Sequence, residues 1–141
     1  METQGVCVAG YGTDDFPAFF TPRSGLPVSS RLDDAGTAAR LLDSHADLGV
    51  ASGVVLAVPV PDALAAEASV VEEATAKALA ECETQGVKGN EVTPFLLKRI
   101  NELTGGESLR ANIALVKHNA EVGASVAVAL AALRSSRRAK L

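Results

Sequence analysis

Apolar positions form short continuous runs early in the chain and take helical spacing later. Residues 5–9, G-V-C-V-A, are an apolar run closed by glycines, the pattern of a strand buried on both faces. Residues 16–21 and 27–32 carry strand-like residues on either side of Pro22-Arg23-Ser24-Gly25, which predicts an irregular hairpin. Its prolines place it at a sheet edge. From Asp33 and Asp34, both suited to capping, a helix is predicted through Ala38, Leu41, Leu42 and Ala46, stopped by Gly49. Residues 53–58, G-V-V-L-A-V, form the most strand-like run, and their unbroken β-branched character suits the centre of a sheet. Val58-Pro59-Val60-Pro61 leaves that strand extended.

Helical periods dominate the remainder. Ser69-Val70-Val71-Glu72 matches a capping box opening a helix that reaches Thr84, with Gly86 just past its end. Thr93-Pro94 predicts the start of the next helix, threonine as cap and proline at the first position, and Gly105 closes it. Ser108 is expected to cap a last long helix through Ile113, Val116, Ala120 and Ala127 to about Leu133. Residues 134–141 read as a basic tail whose cations suit a helix C-terminus. The pattern is that of an α/β chain, strands first and helices later. Glu2-Thr3-Gln4-Gly5-Val6 repeats Glu83-Thr84-Gln85-Gly86-Val87, and the second copy ends a helix. By analogy the first copy also ends one, so the natural domain is expected to begin upstream of Met1.

Composition adds a constraint on the core. The 141 residues include 25 alanines and no tryptophan, with aromatics at 4%, so most apolar side chains are small and low stability in isolation is expected. A net charge of −4 argues against nucleic acid as partner. Cys7 and Cys82 make neither a disulfide framework nor a finger-type metal pair, which fits a reduced, intracellular chain, cytoplasmic by default. No uninterrupted run of 18 apolar residues occurs, so no membrane span is expected. Residues 1–6 lack the basic and apolar parts of a signal peptide.

Few residues suggest chemistry by themselves. Gly10-Tyr11-Gly12 follows a strand but lacks the third glycine and the helix of a dinucleotide loop, and a tight turn explains it. Asp14 and Asp15 are adjacent and would point apart in extended chain. His45 and His118 stand alone, in no metal-ligand motif, and are expected to be solvated or interfacial. Arg23-Ser24-Gly25 could grip a phosphate, but a plain hairpin turn is the favoured explanation. Most suggestive is residues 104–112, T-G-G-E-S-L-R-A-N, where two glycines lead into a helix N-terminus that favours an anion or polar ligand. Asn112 lies in the first turns of that helix, and its amide can donate to and accept from a planar heterocycle.

Four strings together carry a resemblance: G-Y-G-T-D-D-F-P-A-F-F (10–20), the R-S-G turn, Q-G-V-K-G (85–89) with E-V-T-P-F-L-L (91–97), and T-G-G-E-S-L-R-A-N-I-A-L-V-K-H-N-A (104–120). In order and spacing, from residue 5 to about 130, the chain resembles the C-terminal portion of the pseudouridine-5'-phosphate glycosidase family. That resemblance implies part of an α/β/α sandwich over residues 1–133, and reversible cleavage of pseudouridine 5'-phosphate to uracil and ribose 5-phosphate. It also implies a Schiff-base lysine, a glutamate proton donor, a manganese ion near an aspartate, and a homotrimer.

The motifs holding those catalytic and metal residues lie before G-Y-G-T-D-D-F in the family. No catalytic residue and no manganese ligand is therefore assigned in this chain, and none of Lys88, Lys98 and Lys117 is taken as the nucleophile. Asn112 alone is carried over, as a contact to uracil. The chain departs from the family at Val58-Pro59, where Asn-Pro is common, at Asp15, where Glu is common, and at His118, where Asn is common. The expectation is a portion of such an enzyme, inactive alone. Two alternatives are a non-catalytic product that docks onto intact subunits, and a nucleotide-binding module built on the Gly105-Gly106 helix end. No nucleic acid and no membrane partner are expected.

Overall fold

A computed structural model describes residues 5–64 and 68–139. Its architecture is α/β, as expected. Three strands, β1 (Cys7–Tyr11), β2 (Arg31–Leu32) and β3 (Val54–Ala57), form a parallel sheet in the order β2-β1-β3. Four helices follow the predicted order: α1 (Ala35–Asp47), α2 (Ala68–Thr84), α3 (Val92–Leu103) and α4 (Glu107–Arg138). Short 3-10 turns occupy Asp62–Leu64 and Gly89–Glu91. The chain divides into two compact units.

The first unit holds the sheet, α1 and α4 from Val116 onward. Its centre is β1, where Ala9 is wholly buried among Leu32, Ala38, Val122 and Val126. Gly10 follows because the backbone is crowded there: a Cβ would stand 2.5 Å from the Thr13 carbonyl oxygen and 3.1 Å from the Val28 side chain. Residues 53–58 had suggested the central strand, yet among the described residues β3 is an edge and Val54, Val55 and Leu56 are only half-buried. A β-branched run reports apolar surroundings on the two faces of a strand and does not report how many neighbours it pairs with.

The irregular hairpin is present, but shorter than the strand-like runs on its two sides. Asp15 and Pro27 make a single antiparallel bridge, flanked by Phe16 N–H to Leu26 O at 2.7 Å and Val28 N–H to Asp14 O at 2.9 Å. Pro17, Pro22 and Pro27 lack the N–H groups that a longer ladder needs. Ser24 closes the turn, its hydroxyl donating to Phe16 O and accepting from Leu26 N–H. Only Arg31–Leu32 then continues as strand, parallel to β1.

Helix α1 begins as its sequence indicates, the Asp34 carboxylate accepting from Thr37 N–H at 2.7 Å and from its hydroxyl at 2.9 Å. Those bonds hold the Asp34 carboxyl below its ordinary pKa. The far end of the unit is tied by charge. Asp43, on α1, receives Arg134 at 2.9 Å and Arg137 at 2.6 Å, and Arg137 also reaches Asp47 at 2.7 Å. The residues read as a basic tail suited to a helix C-terminus are largely helix, continuing past Leu133 to Arg138, and Arg134 and Arg137 are engaged in ion pairs.

The second unit comprises Phe19–Pro22 with α2, α3 and α4 as far as Leu115. Phe20, Val71, Ala74, Ala78 and Ile100 form its core, with Leu96 and Leu103 packed against it. Phe19 meets Phe20 edge to face at 4.6 Å. Helix α2 ends as expected: Gly86 takes φ +68°, Gly86 N–H bonds Glu83 O, and Val87 N–H bonds Cys82 O. Ser69 lies inside that helix, and its side chain and the residues before Ala68 fall outside the described residues, as does the repeat copy at residues 2–4. Both cysteines are free.

Two predicted caps are displaced. Helix α3 starts at Val92, because the Gly89–Glu91 turn runs straight into it and Val92 N–H already bonds Gly89 O, so Thr93 is internal. Helix α4 starts at Glu107, and Ser108 is inside its first turn. By length and composition α4 is the one described helix that could cross a membrane, with a mean hydropathy of 1.3 over its best window. Counting uninterrupted apolar runs misses it, since Lys117 and Glu121 interrupt an alanine-rich sequence.

Candidate functional site

The connection between α3 and α4 builds the site, and all of it lies in the second unit. Thr104, buried at the end of α3, organises the turn: its hydroxyl donates to Ile100 O at 2.8 Å and accepts from Ser108 N–H at 3.2 Å. Its carbonyl accepts from Glu107 N–H at 3.2 Å. Threonine therefore performs the capping predicted for Ser108. Gly105 and Gly106 follow at φ +59° and +90°, backbone that a side chain would strain, and they reverse the chain within two residues. With Glu107 and Ser108 amides already bonded to Thr104, the bare N-terminus that a phosphate would need is partly used up.

The reversal sets two helix faces side by side. Leu97 and Asn101 are one turn apart on α3, Ser108 and Asn112 one turn apart on α4. Together with Phe20, Lys98 and Leu109 they line a cleft of about 250 Å³. Phe20, Leu97 and Leu109 give it apolar walls, and Asn101, Asn112 and Lys98 give it amides and a cation. Ser108 is 2% exposed.

One atom of this cleft stands out energetically. The Oδ1 of Asn101 is buried and has no hydrogen-bond partner. Leaving a buried acceptor unpaired costs about 1–3 kcal/mol, so such an atom calls for a partner. Asn112, named from the sequence, is half-buried on the same cleft. Asn101 was not named; the available signal was an asparagine, a poor helix former, inside α3 near its end.

A larger depression, about 380 Å³, lies between α2 and α3 and is lined by Glu81, Gln85, Phe95, Lys98, Arg99 and Glu102. Its chemistry is internal. Arg99 is gripped by both oxygens of Glu81, at 2.5 and 3.0 Å, and by Glu102 at 3.0 Å. The guanidinium keeps the Glu81 carboxyl below its usual range, and the two carboxylates raise Arg99. A cation this fully matched has little left for a ligand.

The other sequence candidates do not converge on the cleft. Asp14 pairs with Arg31 at 2.7 Å. Gly12 takes φ +66° in a turn with no helix after it. His118 Nδ1 lies 3.9 Å from Glu121, and His45 is half-buried with its Nε2 buried and without a hydrogen-bond partner. Among the described residues, no three or more His, Cys, Asp or Glu side chains gather to hold a metal ion.

Comparison with known proteins places these features in a family. The family profile described as "Indigoidine synthase A like protein" matches residues 1–129. The chain is 50% identical over 133 residues to the pseudouridine-5'-phosphate glycosidase of Arabidopsis thaliana, covering 94% of this chain and 40% of that protein. It is 53% identical over 125 residues to the enzyme of that name from Rhodospirillum centenum, covering 89% and 39%. Among solved structures, the prealnumycin C-glycosynthase in complex with ribulose 5-phosphate superposes with a TM-score of 0.86 at 36% identity, covering 96% of this chain and 44% of that one. An indigoidine synthase A-like protein from Thermotoga maritima gives a TM-score of 0.74 at 31% identity, covering 92% and 41%. The chain thus spans well under half the length of the relatives it matches. It belongs to the indigoidine synthase A-like family and resembles the pseudouridine-5'-phosphate glycosidases within it.

Proposed function

We propose that this chain forms the base-binding wall of a pseudouridine-5'-phosphate glycosidase, an enzyme that reversibly cleaves pseudouridine 5'-phosphate to uracil and ribose 5-phosphate. The observation that carries the reading is Asn112 on a cleft whose Phe20, Leu97 and Leu109 walls suit the faces of a flat ring. Breaking a carbon–carbon glycosidic bond requires protonation of the departing carbon and an electron sink on the sugar side. In the resemblance, those tasks fall to a glutamate and to a lysine iminium, in motifs that this chain does not contain. Its residues bind and orient the base. Manganese and trimeric assembly belong to the same proposal; in the resemblance the metal aspartate lies in a motif before G-Y-G-T-D-D-F, so no manganese ligand is assigned here.

Two measurements test it. Incubated with pseudouridine 5'-phosphate and manganese, the chain alone should release no uracil. Titrated with uracil, it should show saturable binding that Asn112→Ala weakens about three- to tenfold, the effect of one neutral hydrogen bond. Turnover by the chain alone overturns the division of labour, and uracil binding indifferent to Asn112 overturns the site.

A second reading, docking onto intact subunits without catalysis, is favoured by α4. Val116, Ala120, Ala124 and Ala127 follow one another at helical spacing and are all exposed, and Val128 beside them is 71% exposed. Light scattering during size exclusion with a full-length relative decides it, since a chain that stays monomeric beside that relative has no such role.

A further inference from the structure

Helix α4 carries two apolar sides where a surface helix needs one. From Val116 onward, Val122 and Val126 are buried in one cluster with Ala9, Leu32 and Ala38. On another side of the helix, Val116, Ala120, Gly123, Ala127 and Ala131, with Ala124 beside them, recur at spacings of three and four residues and are all exposed. That side runs for about 23 Å without a charged residue. Gly123 lies in the middle of it. A Cβ there would meet nothing within 4 Å, and glycine inside a helix is less favourable than alanine, so the described residues give no reason for it. Small side chains facing outward let a second helix backbone come close.

The sheet of the same unit is open as well. Among the described residues β3 is an edge, has neither proline nor charge over Val54–Ala57, and leaves Val54, Val55 and Leu56 half-buried. Water-facing edges are normally guarded by such residues, and parallel sheets are normally covered on both faces. The relatives carry more than half of their length outside the match, and the matched part superposes on the C-glycosynthase without it.

We propose that the exposed side of α4 is the seat of an apolar helix from the preceding portion of a family member, and that the two pieces assemble without a covalent link. A second copy of this chain laid on α4 would leave the β3 edge open, whereas a partner longer than this chain can cover both. Resting on the glycosidase reading, such an assembly joins the cleft of this chain to the lysine and glutamate motifs that it does not contain.

The test co-expresses the full chain, carrying an affinity tag, with the portion of the Rhodospirillum centenum enzyme that precedes its match to this chain. The two should co-purify as a complex. Ala124→Arg puts a charge in the middle of the seat and should weaken assembly about tenfold or more. Ser125→Arg, at an exposed position about 100° further round the helix, should leave assembly unchanged. Gly123→Ala separates docking from folding: it should raise the Tm of the chain alone, yet weaken assembly about fivefold or more. The intact Rhodospirillum centenum enzyme should not capture the chain, because its own two portions already cover each other. Absence of a complex overturns the proposal, as does assembly indifferent to Ala124→Arg. Equal capture by the intact enzyme, or self-association of the chain alone that Ala124→Arg abolishes, assigns the seat to a different occupant and overturns it too. Failure here is distinguishable from failure of the glycosidase reading. A complex that obeys these rules but releases no uracil from pseudouridine 5'-phosphate leaves the docking standing and overturns that reading; saturable, Asn112-dependent uracil binding without a complex does the reverse.

Discussion

The two units solve the same packing problem with different materials. The sheet-bearing unit is built on small residues, Ala9, Gly10, Ala38 and Ala39, which let backbones approach closely, and it adds the Asp43–Arg134–Arg137 cluster where α1 meets the end of α4. The helical unit is built on side-chain bulk: Phe20, Val71, Ile100, Leu96 and Leu103 interlock around α2 and α3. In the first, the backbone at Gly10 leaves no room for an added atom while Leu32, Val122 and Val126 fill the space around Ala9; in the second, Phe20 and Ile100 supply the bulk, with Ala74 and Ala78 beside them. The candidate cleft belongs to the second, where Phe20 serves both core and cleft wall.

The largest expected effect is therefore a deletion in the helical unit. Ile100, 5% exposed, sits directly under the Thr104 turn, whose hydroxyl bonds its carbonyl. Ile100→Ala should cost about 2–5 kcal/mol. Hydrogen exchange should show protection lost mainly in α2 and α3, with β1 and α1 largely retained. Uniform loss across both units would instead show one cooperative fold and erase the distinction.

The complementary change is an addition in the sheet unit. Gly10→Ala would drive a methyl into the Thr13 carbonyl, backbone that can move only with the strand, and should cost about 1–3 kcal/mol. Its exchange signature should appear in β1 and its neighbours and spare α2. An Ala variant as stable as wild type would mean that the crowding at 2.5 Å is relieved without cost, and the contrast between the units would weaken.

The same contrast explains what was legible in the sequence. Helical periods and glycine stops located α1, α2 and α3 well, because a glycine such as Gly86 acts locally, through bonds reaching back only to Cys82 and Glu83. The strands were found but not their order. Pairing of residue 7 with residue 54 is decided by long-range packing, which a local run of valines does not encode. Caps slipped for a related reason: Ser108 and Thr93 have the right side chains, but Thr104 and the Gly89–Glu91 turn reached the open amides first. Asn112 could be named from its surroundings in sequence, whereas Asn101 became visible only when its oxygen was found buried and unpaired.

Acid provides the finest separation of the two units, because each carries a carboxylate held by arginine. Asp43 is kept below its ordinary pKa first by the Arg134 hydrogen bond and then by Arg137, which together outweigh its burial, its side chain being only 9% exposed. Glu81 is lowered in the same way by Arg99, at a more exposed position. A carboxylate with a depressed folded-state pKa contributes stability that is fully present above its unfolded value, about 4, and that disappears as pH falls through the lowered folded value. Both units should thus weaken below about pH 4. Asp43→Asn should remove only the sheet unit's share: α1 amides should exchange faster than wild type at neutral pH, with the difference closing as the pH falls past the lowered pKa, while α2 and α3 follow the wild-type acid profile. A difference in α1 that stays constant down to strongly acid pH would mean that Asp43 acts through packing and not through charge, and the two units would then differ in how they use ion pairs as well as in how they fill their cores.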